Sequence, residues 1–230
     1  MLDFAHRAFY LQRTFFMLEL LKSGGWLMAP ILICSVVAMA IMVERFWALR
    51  KRKILPKHLV AQIYHMRKKK QLDANAIQAL RENSHLGRVL ASGLMAMHLS
   101  REVMKENIEE TGRHVVHEME KYLNALGTIS QIAPLLGLLG TVVGMIKVFT
   151  VITSEGVGNP GVLAGGISEA LITTAAGLTV AIPSLIAARH FRRKIDDLVI
   201  DMEQEAIKLV EVIHGQRDAS AVDGNAMGSR

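Results

Sequence analysis

Three stretches of this chain run without a charge, and they set its class. Residues 23–43, 122–146 and 170–188 hold 21, 25 and 19 uncharged residues, and the third reaches back to Leu163 if Glu169 is admitted. A helix crossing a hydrocarbon core of about 30 Å needs about 20 apolar residues at 1.5 Å each. All three have that length, and core helices of soluble proteins rarely go so long without a charge. The pattern therefore predicts an all-α membrane protein with three transmembrane helices and long helical extensions on the cytoplasmic side.

Between and after these stretches the pattern turns amphipathic. Residues 48–121 read as helix throughout, with Pro56 suited to one helix start and Asp73, ahead of Ala76, Ile77 and Leu80, to another. From Arg101 the apolar residues Val103, Met104, Ile108, Val115, Val116, Met119 and Leu123 recur at a three-to-four spacing. No proline falls between Arg101 and Ala133, so one continuous helix is expected to enter the second span. Ile195, Leu198, Val199, Met202, Ala206, Leu209, Val210 and Ile213 repeat the pattern, and the third span is expected to continue into that helix unbroken. In the first 22 residues Phe4, Phe9, Phe15 and Phe16 alternate with charges, which suits an amphipathic helix on the outer membrane face; a floppy tail is the alternative.

Basic residues give the orientation. Arg45, Arg50, Lys51, Arg52, Lys53 and Lys57 follow the first span, Arg113 and Lys121 precede the second, and Arg189, Arg192, Arg193 and Lys194 follow the third. The segment between the second and third spans has no arginine. The positive-inside rule then puts the N-terminus outside and the C-terminus in the cytoplasm. The expected layout is an interfacial helix at 1–22, spans at 23–47, 122–149 and 163–189, and a cytoplasmic helical region at 48–121. A short outer loop at 150–162, a cytoplasmic helix at 190–215 and a disordered tail at 216–230 complete it. Trp26 and Trp47 are 21 residues apart, roughly 32 Å along a helix, as for aromatic belts at both interfaces. Ala38-Met39-Ala40 looks like a signal-peptide cleavage site, but acidic residues precede the segment and a basic run follows it, the reverse of a cleaved signal.

Composition adds exclusions. The 230 residues carry 27 Lys and Arg against 21 Asp and Glu, a formal charge of +6 that topology and anionic lipid explain without nucleic acid. One cysteine excludes a disulfide framework and a cysteine-based zinc site. His114 and His117, beside Glu118, have a spacing that could hold a metal, but match no metalloprotease motif; solvated or packed histidines are the simpler account. There is no phosphate-binding loop and no nucleophile elbow, so neither an enzyme nor a cofactor is expected.

The chemistry lies in the spans. Gly137, Gly140 and Gly144 lie near one face of the second, suited to close helix packing, and Pro134 frees a backbone carbonyl there. Thr141 can satisfy its hydroxyl on its own backbone or line a wet path. In the third span, Glu169 would sit about 9 Å along a helix starting near Leu163. A carboxylate at that depth either faces a cavity or partner, or caps the helix N-terminus near the interface.

Gly140-Thr141-Val142-Val143-Gly144, then Gly166-Ile167-Ser168-Glu169-Ala170-Leu171-Ile172-Thr173-Thr174-Ala175-Ala176-Gly177-Leu178 and Ala181-Ile182-Pro183, resemble the ExbB/TolQ/MotA proton-channel family, its ExbB/TolQ branch most closely. Glu44-Arg45 also fits that branch, and the resemblance covers residues 23–213. It implies an inner-membrane pentamer whose second and third spans line a pore around single-span ExbD/TolR-like helices bearing an essential Asp. Proton flow would drive a TonB- or TolA-like protein. It also implies pore-lining roles for Thr141, Glu169 and Thr174, with Gly137, Gly140, Gly144, Gly166, Gly177 and Pro183 serving helix packing. Helical geometry favours Thr173, four residues from Glu169, over Thr174, about 140° around the helix. Lys147, at the outer end of the second span, departs from the neutral polar residue of better-known members. A flagellar-stator role fits three spans poorly, and a non-conducting membrane scaffold is the alternative function.

Overall fold

The computed structural model describes residues 24–69, 71–156 and 160–214, and among them all regular structure is helical. The expectations for 1–22 and for the 216–230 tail lie outside the described residues. The helices are α1 (Met28–Ala48), α2 (Lys51–Ile54), α3 (Leu59–Lys68), α4 (Ala74–Asn83), α5 (His85–Met95), α6 (Arg101–Glu120), α7 (Leu123–Glu155) and α8 (Pro160–Ile213). Three helical stretches are long and apolar enough to cross a membrane: Met28–Ala48, the apolar part of Arg101–Ser154, and that of Pro160–Ile213. The chain is an all-helical membrane protein. Its residues divide into two compact units, one within Met1–Val43 and Tyr122–Arg189, the other within Glu44–Lys121 and His190–Arg230.

The second unit has a conventional buried core. Leu49, Ile54, Ile63, Leu86, Leu90, Leu94, Met104, Met119, Ile195 and Leu209 are all essentially inaccessible to solvent. Short polar residues start its helices. Asp73 accepts from Ala76 N at 2.8 Å ahead of α4, and Ser84 from Gly87 N at 3.0 Å ahead of α5. Ser100 accepts from Val103 N at 3.3 Å ahead of α6. Each satisfies one of the donors a helix N-terminus leaves orphaned. At the other end of α8, Arg67 Nη1 donates to the Val212 and Ile213 carbonyls at 3.2 and 3.1 Å.

Two local expectations are corrected here. Among the described residues, 48–121 are not helical throughout but form five helices with breaks, and Pro56 does not open one: α3 begins at Leu59, after His58 in a left-handed conformation. The helix expected from Arg101 into the second span is interrupted at Lys121 and Tyr122, where Tyr122 has φ +67°. Ending α6 there denies the Met119 carbonyl its usual donor four residues on, and Arg45 Nη1 takes that place at 2.9 Å. Arg45 is itself buried, and its guanidinium also pairs with Glu44. By contrast α8 runs from Pro160 to Ile213 without interruption, passing through Pro183, and α7 passes through Pro134.

Candidate functional site

In the first unit α7 and α8 run antiparallel, and glycines bring their backbones together. A Cβ placed on Gly137 would lie 3.0 Å from Thr174 Cα, and one on Gly144 would lie 2.8 Å from Ala170 Cβ and 3.1 Å from the Gly166 carbonyl. On Gly140 it would meet Thr173 Cγ2 at 2.5 Å, and on Gly166 it would meet Val148 Cγ2 at 2.5 Å. On Gly177 it would meet the Ala133 carbonyl at 2.5 Å and Gly137 Cα at 3.1 Å. Without a hydrophobic driving force between helices in lipid, such close approach supplies the dispersion contacts and interhelical hydrogen bonds that hold spans together.

The polar side chains are arranged on this seam. Thr174 Oγ1 donates to the Gly137 carbonyl on α7 at 2.8 Å. Thr173 is 1% exposed, and its hydroxyl lies within hydrogen-bonding distance of the Gly24 carbonyl at 2.7 Å and the Glu169 carbonyl at 2.8 Å. Thr141 is half-buried and donates within its own helix, to Leu138 O at 2.6 Å. Pro183 is exposed, with Ser184 behind it bonded to the Val180 carbonyl at 2.7 Å. The two adjacent threonines thus hold different neighbours: Thr173 the turn ahead of α1, Thr174 the backbone of α7.

Glu169 lies nine residues past the first residue of α8, beyond the first turn, so it does not cap that helix. Its Oε1 is 2.7 Å from Lys147 Nζ on α7. Gly25, at φ +70°, packs so closely against the carboxylate that a Cβ there would overlap it. Two requirements therefore converge on glycine at position 25, a left-handed backbone and room for the carboxylate. Thr173, Thr174, Glu169 and Lys147 come together around the α7–α8 seam, and Gly24 and Gly25 join them from the start of α1. Thr141 stands apart on its own helix.

The role of Lys147 was not legible from the residue alone, though the glycine register held a clue. With Gly140 opposite Thr173 and Gly144 opposite Ala170, an antiparallel pair brings position 147 to the turn that carries Glu169. Gly24 and Gly25 carried no such signal. In the second unit His114 and His117 are exposed, and the Glu118 carboxylate is taken by Arg88 Nη1 at 2.7 Å. Among the described residues no group of three His, Cys, Asp or Glu side chains is placed to hold a metal ion.

A seam of antiparallel apolar helices carrying one acidic and one basic side chain in contact defines a membrane protein with a charged site inside its spans. Residues 81–204 match the MotA/TolQ/ExbB proton channel family, and the chain belongs to it. It is similar to an ExbB-like biopolymer transport protein of Synechocystis, 34% identical over 82% of this chain and 75% of the relative. It is also similar to an ExbB biopolymer transport protein of Vibrio cholerae, 29% identical over 74% of this chain and 77% of the relative. An ExbB of Aquifex aeolicus is 37% identical over 45% of this chain and 64% of its own length. A general ExbB-type role in transport follows, in a family of channel subunits rather than catalysts.

Proposed function

We propose that this chain is an inner-membrane subunit of a proton-driven motor of the ExbB/TolQ kind. Copies of the chain, a pentamer in this proposal, surround single-span ExbD/TolR-like helices. Proton flow past them is passed as motion to a TonB- or TolA-like protein that energises outer-membrane transport or envelope maintenance. The N-terminus lies in the periplasm, the 48–121 and 190–215 segments lie in the cytoplasm, and Thr141, Glu169 and Thr174 belong to the proton path, with Thr173 beside them.

The observation that carries the proposal is Glu169: an acidic side chain more than two turns inside an apolar helix, paired with Lys147 across the seam and still one-quarter exposed. Intramembrane carboxylates are costly, and they recur in ion pathways and proton relays. One proton moved across about 150 mV yields roughly 3.5 kcal/mol, so a few protons per stroke suffice to bias a conformational cycle.

The test is Glu169→Gln and Thr174→Ala, each co-expressed with an ExbD/TolR-like single-span protein from the same organism. Complex recovery and proton-motive-force-dependent transport or envelope integrity are then measured. Intact complexes with lost function support the proton-path assignment. Intact complexes with full function overturn it and leave the non-conducting scaffold.

A further inference from the structure

An ionised carboxylate in an ion pathway can take a proton or a metal cation such as Na⁺. The surroundings of Glu169 separate the two. From 24 to 43 there is no charged residue, and from 122 to 189 the charged residues are Lys147, Glu155, Glu169 and Arg189. Lys147 Nζ stands 2.7 Å from Glu169 Oε1, with the backbone of Gly25 packed against the same carboxylate. The nearby Thr173 hydroxyl has the Gly24 and Glu169 carbonyls at 2.7 and 2.8 Å and donates its one proton to one of them.

We infer that Lys147 determines ion specificity: its ammonium is a tethered cation on Glu169 that bars Na⁺ while leaving the carboxylate open to a proton. The inference rests on the proposed role of Glu169 in ion movement. An ammonium brings three N–H donors and no acceptor, so it fills the place of a bound cation and supplies no ligand to another. A hard cation, by contrast, must gather several oxygen ligands around itself. A second positive charge about 4 Å from Nζ is also disfavoured, by about fivefold in water-like surroundings and roughly a thousandfold at an effective dielectric of 20. Repulsion acts on both ions, but the proton starts from a covalent O–H bond. Lys147 is half exposed, which leaves its side chain room to swing aside when the carboxyl is protonated.

The experiment uses the purified full chain in lipid nanodiscs and the rate at which a hydrophobic carbodiimide labels Glu169, followed by mass spectrometry. Sodium chloride replaces choline chloride at equal ionic strength, and Glu169→Gln gives the background. In the wild-type chain and in Lys147→Arg, sodium is expected to leave the rate unchanged. In Lys147→Gln, sodium is expected to slow labelling, with an apparent sodium affinity at least about fivefold higher than in the wild-type chain, because Na⁺ then competes for the carboxylate. Lys147→Met serves as a second neutral variant should Lys147→Gln not fold. Sodium slowing the wild-type chain, or leaving a folded neutral variant as insensitive as wild type, overturns the inference. The readout needs neither partner nor proton motive force. Failure here leaves the motor reading standing, and full transport activity in Glu169→Gln overturns that reading without altering the labelling result.

Discussion

Replacing Gly177 by alanine puts a methyl carbon 2.5 Å from the Ala133 carbonyl and 3.1 Å from Gly137 Cα. Both neighbours are backbone, so no side chain can swing away, and α7 and α8 must separate to restore ordinary contact. Separation stretches the 2.8 Å hydrogen bond from Thr174 to the Gly137 carbonyl, worth about 1 kcal/mol. It also weakens dispersion along the seam, and overpacking of this kind costs about 1–3 kcal/mol. Alanine recovers about 1 kcal/mol of helix propensity over glycine. Gly165, where a Cβ meets nothing within 4 Å, provides the control, since Gly165→Ala keeps the propensity gain alone. Gly177→Ala is therefore expected to be less stable than Gly165→Ala by about 1–3 kcal/mol. Reversible unfolding of the purified chain in mixed micelles by SDS titration measures this difference. Gly137→Ala combined with Gly177→Ala should cost less than the sum, because the first substitution has already opened the seam. Equal stability of Gly177→Ala and Gly165→Ala, or additive costs, would refute the close-packed seam.

Arg45→Met removes the donor that closes the Met119 carbonyl where α6 ends. It should lower stability by about 1.5–3 kcal/mol, as for a buried hydrogen bond from a charged group, read in the same titration. At His85, burial first and then the Arg88 guanidinium, with Arg45 adding to it against Glu118, hold the imidazole below its ordinary 6.5. The unfolded chain then takes up a proton first as pH falls, so this contribution to stability is intact above about 6.5 and is lost as pH falls toward the lowered folded value. Melting temperature should drop on going from pH 7 to 5, and His85→Gln should flatten that drop; an unchanged slope would count against it.

The apolar helices were legible because run length alone separates a span from a core helix. The glycine run of the second span and the Gly166-to-Leu178 stretch of the third also carried enough pattern to mark the family. What was not legible depends on pairing between distant segments. The end of α6 at Lys121 and Tyr122 carries no glycine or proline to announce it. A tyrosine at φ +67° is tolerated there while Arg45, 74 residues before Met119, closes the Met119 carbonyl that the break frees. Lys147 and Glu169, 22 residues apart, meet only once the register of α7 on α8 is known. The choice between Thr173 and Thr174 could not be made from helical angle, because both hydroxyls bond to backbone of other segments, one to Gly24 and one to Gly137.

The spacing of glycines along α7 and α8 has a mechanical consequence. Sliding one helix along the other by one turn, about 5.4 Å, exchanges each residue of α8 for one four positions away. In one direction Ala170 takes the place of Gly166, where a Cβ meets Val148 Cγ2 at 2.5 Å. In the other, Thr173 takes the place of Gly177, where a Cβ meets the Ala133 carbonyl at the same distance. Both single-turn ratchets are blocked, one by a side chain and the other by backbone. The close-packed pair moves as one body, and any displacement of this part of α8 along its axis must carry α7 with it.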